Sequence, residues 1–209
     1  MAIDPRKAAL RLPDRAVVHA FVKFQLIFYL LFVPVYFGGK VVAEGSAGRR
    51  QLFAAWELNI PYQPLMFVPY GLFLFLFLLP MLHFQPRHFR ALTLQTAAVL
   101  AVAALAFFLF PVQVAFPPVD MSALAPPFSH FVEFAFTRYN AVPSLHVAFT
   151  LLLLAACGQL STVTTRTVYW FIGIVVVAST VFTHQHQLVD VATGIVTALL
   201  ARRIFPIRP

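Results

Sequence analysis

Charge is what this sequence has least of. Asp, Glu, Lys and Arg together make up 11% of its 209 residues, while 61% are hydrophobic. Soluble globular domains carry about 25% charged residues. So few charges cannot coat a water-facing surface of this size, which excludes an ordinary soluble domain. With a mean hydropathy of +0.84, the solvent for most of the chain is lipid. Cysteine is nearly absent too. The one copy, Cys157, lies inside an apolar run, so there is no disulfide framework and the thiol reads as a small buried hydrophobe. Internal repeats and low-complexity tails are missing, and the length fits one membrane domain over residues 1–209. The formal charge of +8 does not point to nucleic acid, because the basic residues are dispersed at the ends of apolar runs rather than gathered in one patch.

Long apolar runs are what the sequence has in quantity. Six reach spanning length, allowing for tilt: Ala16–Gly38, Gln63–Phe84, Leu92–Phe110, Val142–Leu160, Thr167–Thr183 and Gln187–Ile204. The runs are continuous rather than alternating, so they predict helices and not barrel strands. The fold class expected is all-α, a six-transmembrane-helix bundle. The first run follows Arg6, Lys7, Arg11 and Arg15 as a signal peptide's would, but it exceeds a cleavable apolar core and reads as an uncleaved first helix. Ser46–Pro61 mixes polar and apolar residues around Trp56, suggesting a short interfacial helix. Val112–Tyr139, rich in proline and too polar to span, is expected to lie over the membrane face beside the fourth helix.

With the N-terminus placed in the cytoplasm, ten Lys or Arg fall on that side and four (Lys40, Arg49, Arg50, Arg138) on the other, with Lys23 inside the first helix. Both termini are then cytoplasmic, in an inner or plasma membrane. The start of helix four and the join of helices five and six share the outer side, so chemistry carried there can share one site.

Two blocks carry chemistry. In Pro143-Ser144-Leu145-His146 the proline sits where a first helical turn favours it, with Asn140 as a nearby cap. A helix start favours an anion, Ser144 adds a hydroxyl donor, and His146 lies where a proton donor could reach a bound phosphate ester. In the second block, Thr183 to Asp190, His186 and Asp190 are four apart and share a helical face. Asp190 can accept the imidazole N–H and fix its tautomer, leaving the other ring nitrogen as base or nucleophile. A structural His–Asp pair remains open, as does a metal site of His184, His186 and Asp190.

Pro143-Ser144-x-His146, followed by Ser179-x6-His186-x3-Asp190, resembles the type 2 phosphatidic acid phosphatase superfamily. The resemblance covers helices three to six. It implies a six-helix membrane enzyme that needs no cofactor, with His186 as nucleophile, Asp190 as its support and His146 as general acid. Two features of the family pattern are replaced. Its Lys-x6-Arg-Pro block has no counterpart cation in Phe110–Pro118, and the Arg after its third-block serine is Thr180 here. Tyr139-Asn140-Ala141-Val142, Ser179-Thr180 and Glu57-x2-Ile60-Pro61-Tyr62-x-Pro64 look like the inositol phosphorylceramide synthase branch, whose members transfer a phospho-headgroup between lipids. On that resemblance Ser144, Arg138, Thr180 and His184 are the candidate substrate-binding residues, with Arg138 and His184 standing in for the lost cations, and a solvated loop charge is the other reading of Arg138. Glu57 reads first as a loop charge and second as a substrate contact. His83 and His88, beside Arg87 and Arg90, are expected at lipid headgroups. The partners implied are a lipid phosphate substrate and the membrane. The alternatives are a metal-dependent membrane enzyme and a catalytically inactive lipid-binding relative.

Overall fold

The computed structural model describes residues 12–118, 129–130 and 138–208. Seven α-helices run through them: α1 Arg15–Gly45, α2 Phe67–Leu76, α3 Leu79–His83, α4 Pro86–Leu109, α5 Leu145–Gln159, α6 Val163–Phe182 and α7 Leu188–Ile204. Apart from an isolated bridge between Arg50 and Val112, the described residues hold no strand pairing. Three of these helices, α1, α4 and α6, are long and apolar enough to cross a membrane. They leave side chains such as Leu30 (75% exposed) and Phe171 (69%) facing outward, which suits lipid and not water. The chain is a membrane protein.

The element boundaries follow local chemistry. Asp14 caps α1, its carboxylate accepting the Val17 N–H at 2.8 Å, and Thr162 caps α6 through the Thr165 N–H at 3.2 Å. Proline opens α4 at its first position. The run expected as a single helix over Gln63–Phe84 is instead broken into a 3₁₀ turn (Pro64–Met66), α2 and α3. Pro80 explains the break. It has no N–H to give the Leu76 carbonyl, and its ring would clash there, so α2 stops at Leu76. The expected interfacial helix over Ser46–Pro61 is likewise reduced to one 3₁₀ turn, Ala55–Asn59.

Helix α5 forms the centre. It is 15 residues long, and 12 of them are buried, among them Cys157. At 1.5 Å per residue it spans roughly 22 Å, short of a ~30 Å hydrocarbon core. Helices α2, α3, α4, α6 and α7 pack around it, and α1 lies outside against α4. His83, expected at headgroups, instead joins α3 to α6, with Nε2 2.6 Å from the Tyr169 hydroxyl and Nδ1 3.1 Å from Ser161 Oγ. His88 is buried, its Nδ1 accepting the Gln85 N–H.

Over the end of the bundle where α5 begins runs an extended strap, residues 111–116. Val112, Val114 and Phe116 alternate inward, and with Ala141 they form a second small apolar cluster. Backbone bonds tie the strap to Arg50, Arg138 and Ala141. Most of Val112–Tyr139 beyond the strap lies outside the described residues.

Helices α5 and α7 approach each other closely at Gly194. A Cβ on Gly194 would lie 2.7 Å from the Ser144 carbonyl oxygen and 3.1 Å from Val147 Cβ. Both obstacles are rigid. Gly194→Ala should therefore lower stability by about 1–3 kcal/mol through overpacking, read as a fall in the thermal midpoint in detergent. Gly45→Ala, where an added Cβ meets nothing within 4 Å, should leave it nearly unchanged. Equal midpoints for both variants would refute the close approach.

Candidate active site

The site is built where α5 and α7 start and α6 ends. Ser144 caps α5, its Oγ accepting the Val147 N–H at 3.3 Å, and its own N–H donates to the Asp190 carbonyl at 3.1 Å. The cap thus fixes α5 directly to α7. The proline of the block stands one residue before the cap rather than in the first turn, after a cis Val142–Pro143 bond. Asn140 is not the cap either. It adopts a left-handed backbone (φ 60°) and sends Nδ2 to the Tyr36 carbonyl at 2.6 Å.

Asp190 is fully buried. Its Oδ2 lies 3.2 Å from His186 Nδ1 and also accepts the Gln187 N–H at 2.8 Å. A carboxylate only accepts, so Nδ1 carries the proton and Nε2 is left for chemistry. His146, one residue into α5, is packed between Tyr70 (ring centroids 4.1 Å, nearly parallel) and Phe73 (4.0 Å). His146 and His186 line the same small cleft, about 30 Å³ in volume, together with Tyr36, Tyr70, Tyr139 and Gln185. The space holds one or two waters. The two imidazoles that the sequence places on separate helices therefore face one cavity.

The other expected substrate-binding residues are engaged elsewhere. Thr180 is fully buried, with its hydroxyl on the Val177 carbonyl at 2.8 Å, while its own carbonyl accepts the N–H groups of Gln185 and His186 at 3.0 Å each. It shapes the turn that presents His186. Arg138 donates to the Val114 and Phe116 carbonyls, fastening the strap. His184, in a left-handed conformation (φ 58°), stacks flat on Phe116 at 4.0 Å and donates Nε2–H to the Ile60 carbonyl at 2.9 Å. Burial pushes its pKa below the ordinary imidazole value, the Ile60 bond opposing in part. The ring is thus neutral at pH 7 and does not supply the positive charge the sequence reading assigned to it. Among the described residues no three His, Cys, Asp or Glu side chains are grouped to hold a metal ion.

Glu57 is the largest departure from the sequence reading. It is neither a solvated loop charge nor part of the cleft lining. It is 3% exposed, and its carboxylate accepts the Ala54 N–H and, across the chain, the Leu188 N–H at the start of α7, both at 2.8 Å. The amino end of α7 offers unsatisfied N–H groups and a positive dipole, which stabilise a buried carboxylate there.

Sequence reasoning also missed the cleft-lining tyrosines, although a signal existed. The chain uses 24 Phe and only 6 Tyr, and three of those six line this cavity. In a phenylalanine-rich membrane protein a tyrosine marks a place where a hydroxyl is wanted. Arg49, another cation of this end, donates to the last carbonyls of α1 at Ala43 and Glu44 and lies over the Tyr139 ring.

Searches of curated proteins and of solved structures found no match. A family model described as PAP2 superfamily matches residues 47–204, about three quarters of the chain. The match takes in both chemical blocks, the Glu57 turn and every helix except α1. This chain belongs to the PAP2 superfamily.

Proposed function

We propose that the protein is a membrane enzyme that cleaves or transfers a lipid-linked phosphate through a phosphohistidine on His186. Membership of the superfamily gives the coarser statement, an activity of the phosphatase or phosphotransferase type. The observation that carries the finer one is the cleft shared by His146 and His186, with Asp190 bonded to the far nitrogen of His186.

In the proposed reaction His186 Nε2 attacks phosphorus and the bond from phosphorus to the leaving oxygen breaks. His146 gives its proton to that oxygen. Asp190 stabilises the positive charge left on the His186 ring. In the second half His146, now neutral, takes the proton of water or of an alcohol as its oxygen attacks phosphorus, and His186 is released. Water makes the enzyme a phosphatase, and an alcohol makes it a transferase. Six spans, with α5 and α7 crossing inside a collar of longer helices, would let the lipid reach this end of the bundle sideways.

The absence of Lys and Arg from the cleft lining among the described residues bears on the substrate. Burying a dianion without a counter-cation is costly, and a monoanion costs far less. A phosphodiester lipid is therefore favoured over a phosphomonoester, with the transferred oxygens held by neutral donors from Tyr36, Tyr139 and Asn140. Transfer of a phospho-headgroup, as in the inositol phosphorylceramide synthase branch, fits that preference.

His186→Ala should abolish turnover of lipid diesters by protein that remains folded, and His146→Ala should lower it about 10²–10⁴-fold. Brief incubation with ³²P-headgroup lipid and an acid-labile, base-stable label on wild-type protein, absent from His186→Ala, is the direct measurement. A fully active His186→Ala sinks the mechanism. Absence of both label and turnover across a lipid panel would make the chain a binding member of its family.

Tyr36→Phe and Tyr139→Phe should each lower kcat for a diester, by up to about 10²-fold if the hydroxyl contacts the transferring oxygens. Thermal midpoints should move little. Unchanged kcat in both variants would show that the hydroxyls do not grip the phosphate.

A further inference from the structure

Three arginines gather at the opposite end of the bundle from the two catalytic histidines. Arg166 lies in the first turn of α6, and Arg202 and Arg203 in the last turn of α7. With Gln159 at the end of α5 they rim a cleft of about 430 Å³ walled by Trp170 and Leu199. His146 and Gln159 stand at the two ends of α5, roughly 20 Å apart along its axis, so this cleft is separate from the site already described.

Among the described residues nothing balances these cations. Among the described residues the ion pairs are Lys40–Glu44 and His186–Asp190, and no hydrogen bond engages the three guanidinium groups. Asp14, the described carboxylate at this end, is committed to the N–H of Val17 as the cap of α1. Arg166 is also set in place, because its Cγ sits where a Cβ on Gly158 would come within 3.3 Å, so its stem lies against α5. Three unpaired positive charges around one concavity make a strong anion site.

The walls say what kind of anion. Beside the cationic rim the apolar surface continues along α5 and α6, where a shallow groove of about 10 Å³ shares Ala155 and Trp170 with the cleft and is lined by Leu151, Leu154 and Gly173. One turn further inward, Ile174 on α6 and Val196 on α7 are 64% and 55% exposed. A free inorganic anion has no use for an exposed apolar strip of this kind, whereas a lipid needs both parts. Trp170, at the junction, has the amphipathic ring that suits the headgroup boundary.

We propose that this cleft binds the headgroup of an anionic diacyl phospholipid. Its phosphate sits between Arg166 and Arg203 with Arg202 behind, and its acyl chains run along Trp170–Ile174 and Leu199–Val196. The site is independent of the reaction proposed above and would hold in a catalytically inactive protein.

The test uses the full chain purified in detergent, with retained lipid counted by native mass spectrometry. Phosphatidylglycerol should be retained at least tenfold more than phosphatidylcholine, and equimolar inorganic phosphate should not displace it. Arg166→Gln combined with Arg203→Gln should reduce that preference about tenfold. Arg90→Gln, an exposed arginine on α4 outside the cleft, should keep it. Both cleft side chains are exposed, and Arg203→Gln alone, expected to cost about threefold, carries the test if the double variant does not fold. Equal retention of the two lipids, an unchanged preference in the variants, or displacement by phosphate alone would each overturn the proposal, the last by making this a free-anion site.

Discussion

The site depends on the amino end of α7 and the two carboxylates buried against it. Asp190 takes the Gln187 N–H and holds His186, while Glu57, from a turn more than a hundred residues earlier, takes the Leu188 N–H. In a charge-poor interior each carboxylate would be prohibitively costly alone, since removing the partner of a buried charge costs about 3–5 kcal/mol. The helix terminus supplies donors and dipole to both. A second tie runs the other way, from the Ser144 N–H to the Asp190 carbonyl. One residue thus orients His186, the proposed nucleophile, with its side chain and anchors the helix of His146 with its backbone. Asp190 and Gly194 are successive turns of one face of α7, and the missing side chain at Gly194 is what lets α5 come close enough for this.

Much of this was legible beforehand, for a definable reason. Continuous apolar runs predict helices, and the i, i+4 spacing of His186 and Asp190 predicts their pairing whatever the surroundings. What failed to show were features set by contacts distant in sequence. Glu57 reads as a loop charge because its partner, the Leu188 N–H, is a backbone group that no side-chain pattern reveals. Arg138 and His184 read as free cations because the strap that takes up both is an irregular segment without periodicity. The break between α2 and α3 was the avoidable miss, since Pro80 stands inside the run and the carbonyl it leaves unpaired is Leu76, four residues back.

The strap shows how an irregular segment can be held tightly without regular structure. Its alternate residues Val112, Val114 and Phe116 are buried, its backbone is paired at Arg50, Arg138 and Ala141, and Gln187 accepts the Ala115 N–H. His184 closes it from below by stacking on Phe116. The left-handed backbone at His184 carries a cost of order 1–3 kcal/mol, offset by that stacking and by the bond to Ile60. Because the same turn presents His186 two residues on, the strap and that imidazole are mechanically joined. Protonating His184 opposes its burial. Its pKa is lower in the folded protein than in the unfolded chain, so its contribution to the strap is present above about pH 6.5 and is lost as the pH falls through the folded value.

The distribution of cations along the bundle axis has a consequence for both ends. Lys and Arg near helix ends are biased to one side of a membrane protein by the way its orientation is set. Here Arg166, Arg202 and Arg203 have no ion pair or side-chain hydrogen bond among the described residues, whereas at the histidine end Arg49 and Arg138 are bound to carbonyls of α1 and of the strap. A phosphate-gripping centre made of Lys and Arg would oppose that bias. A centre made of hydroxyl and amide donors does not, and it can sit at the cation-poor end without weakening the topology signal. Neutral donors also bind a monoanion without trapping it, since product and substrate then leave a site that carries little net charge. For a transferase, whose two lipids must exchange at one histidine, that weak grip is an advantage. On the proposed reading, the loss of three family cations changes which phosphate the site accepts and leaves His186, His146 and Asp190 in place.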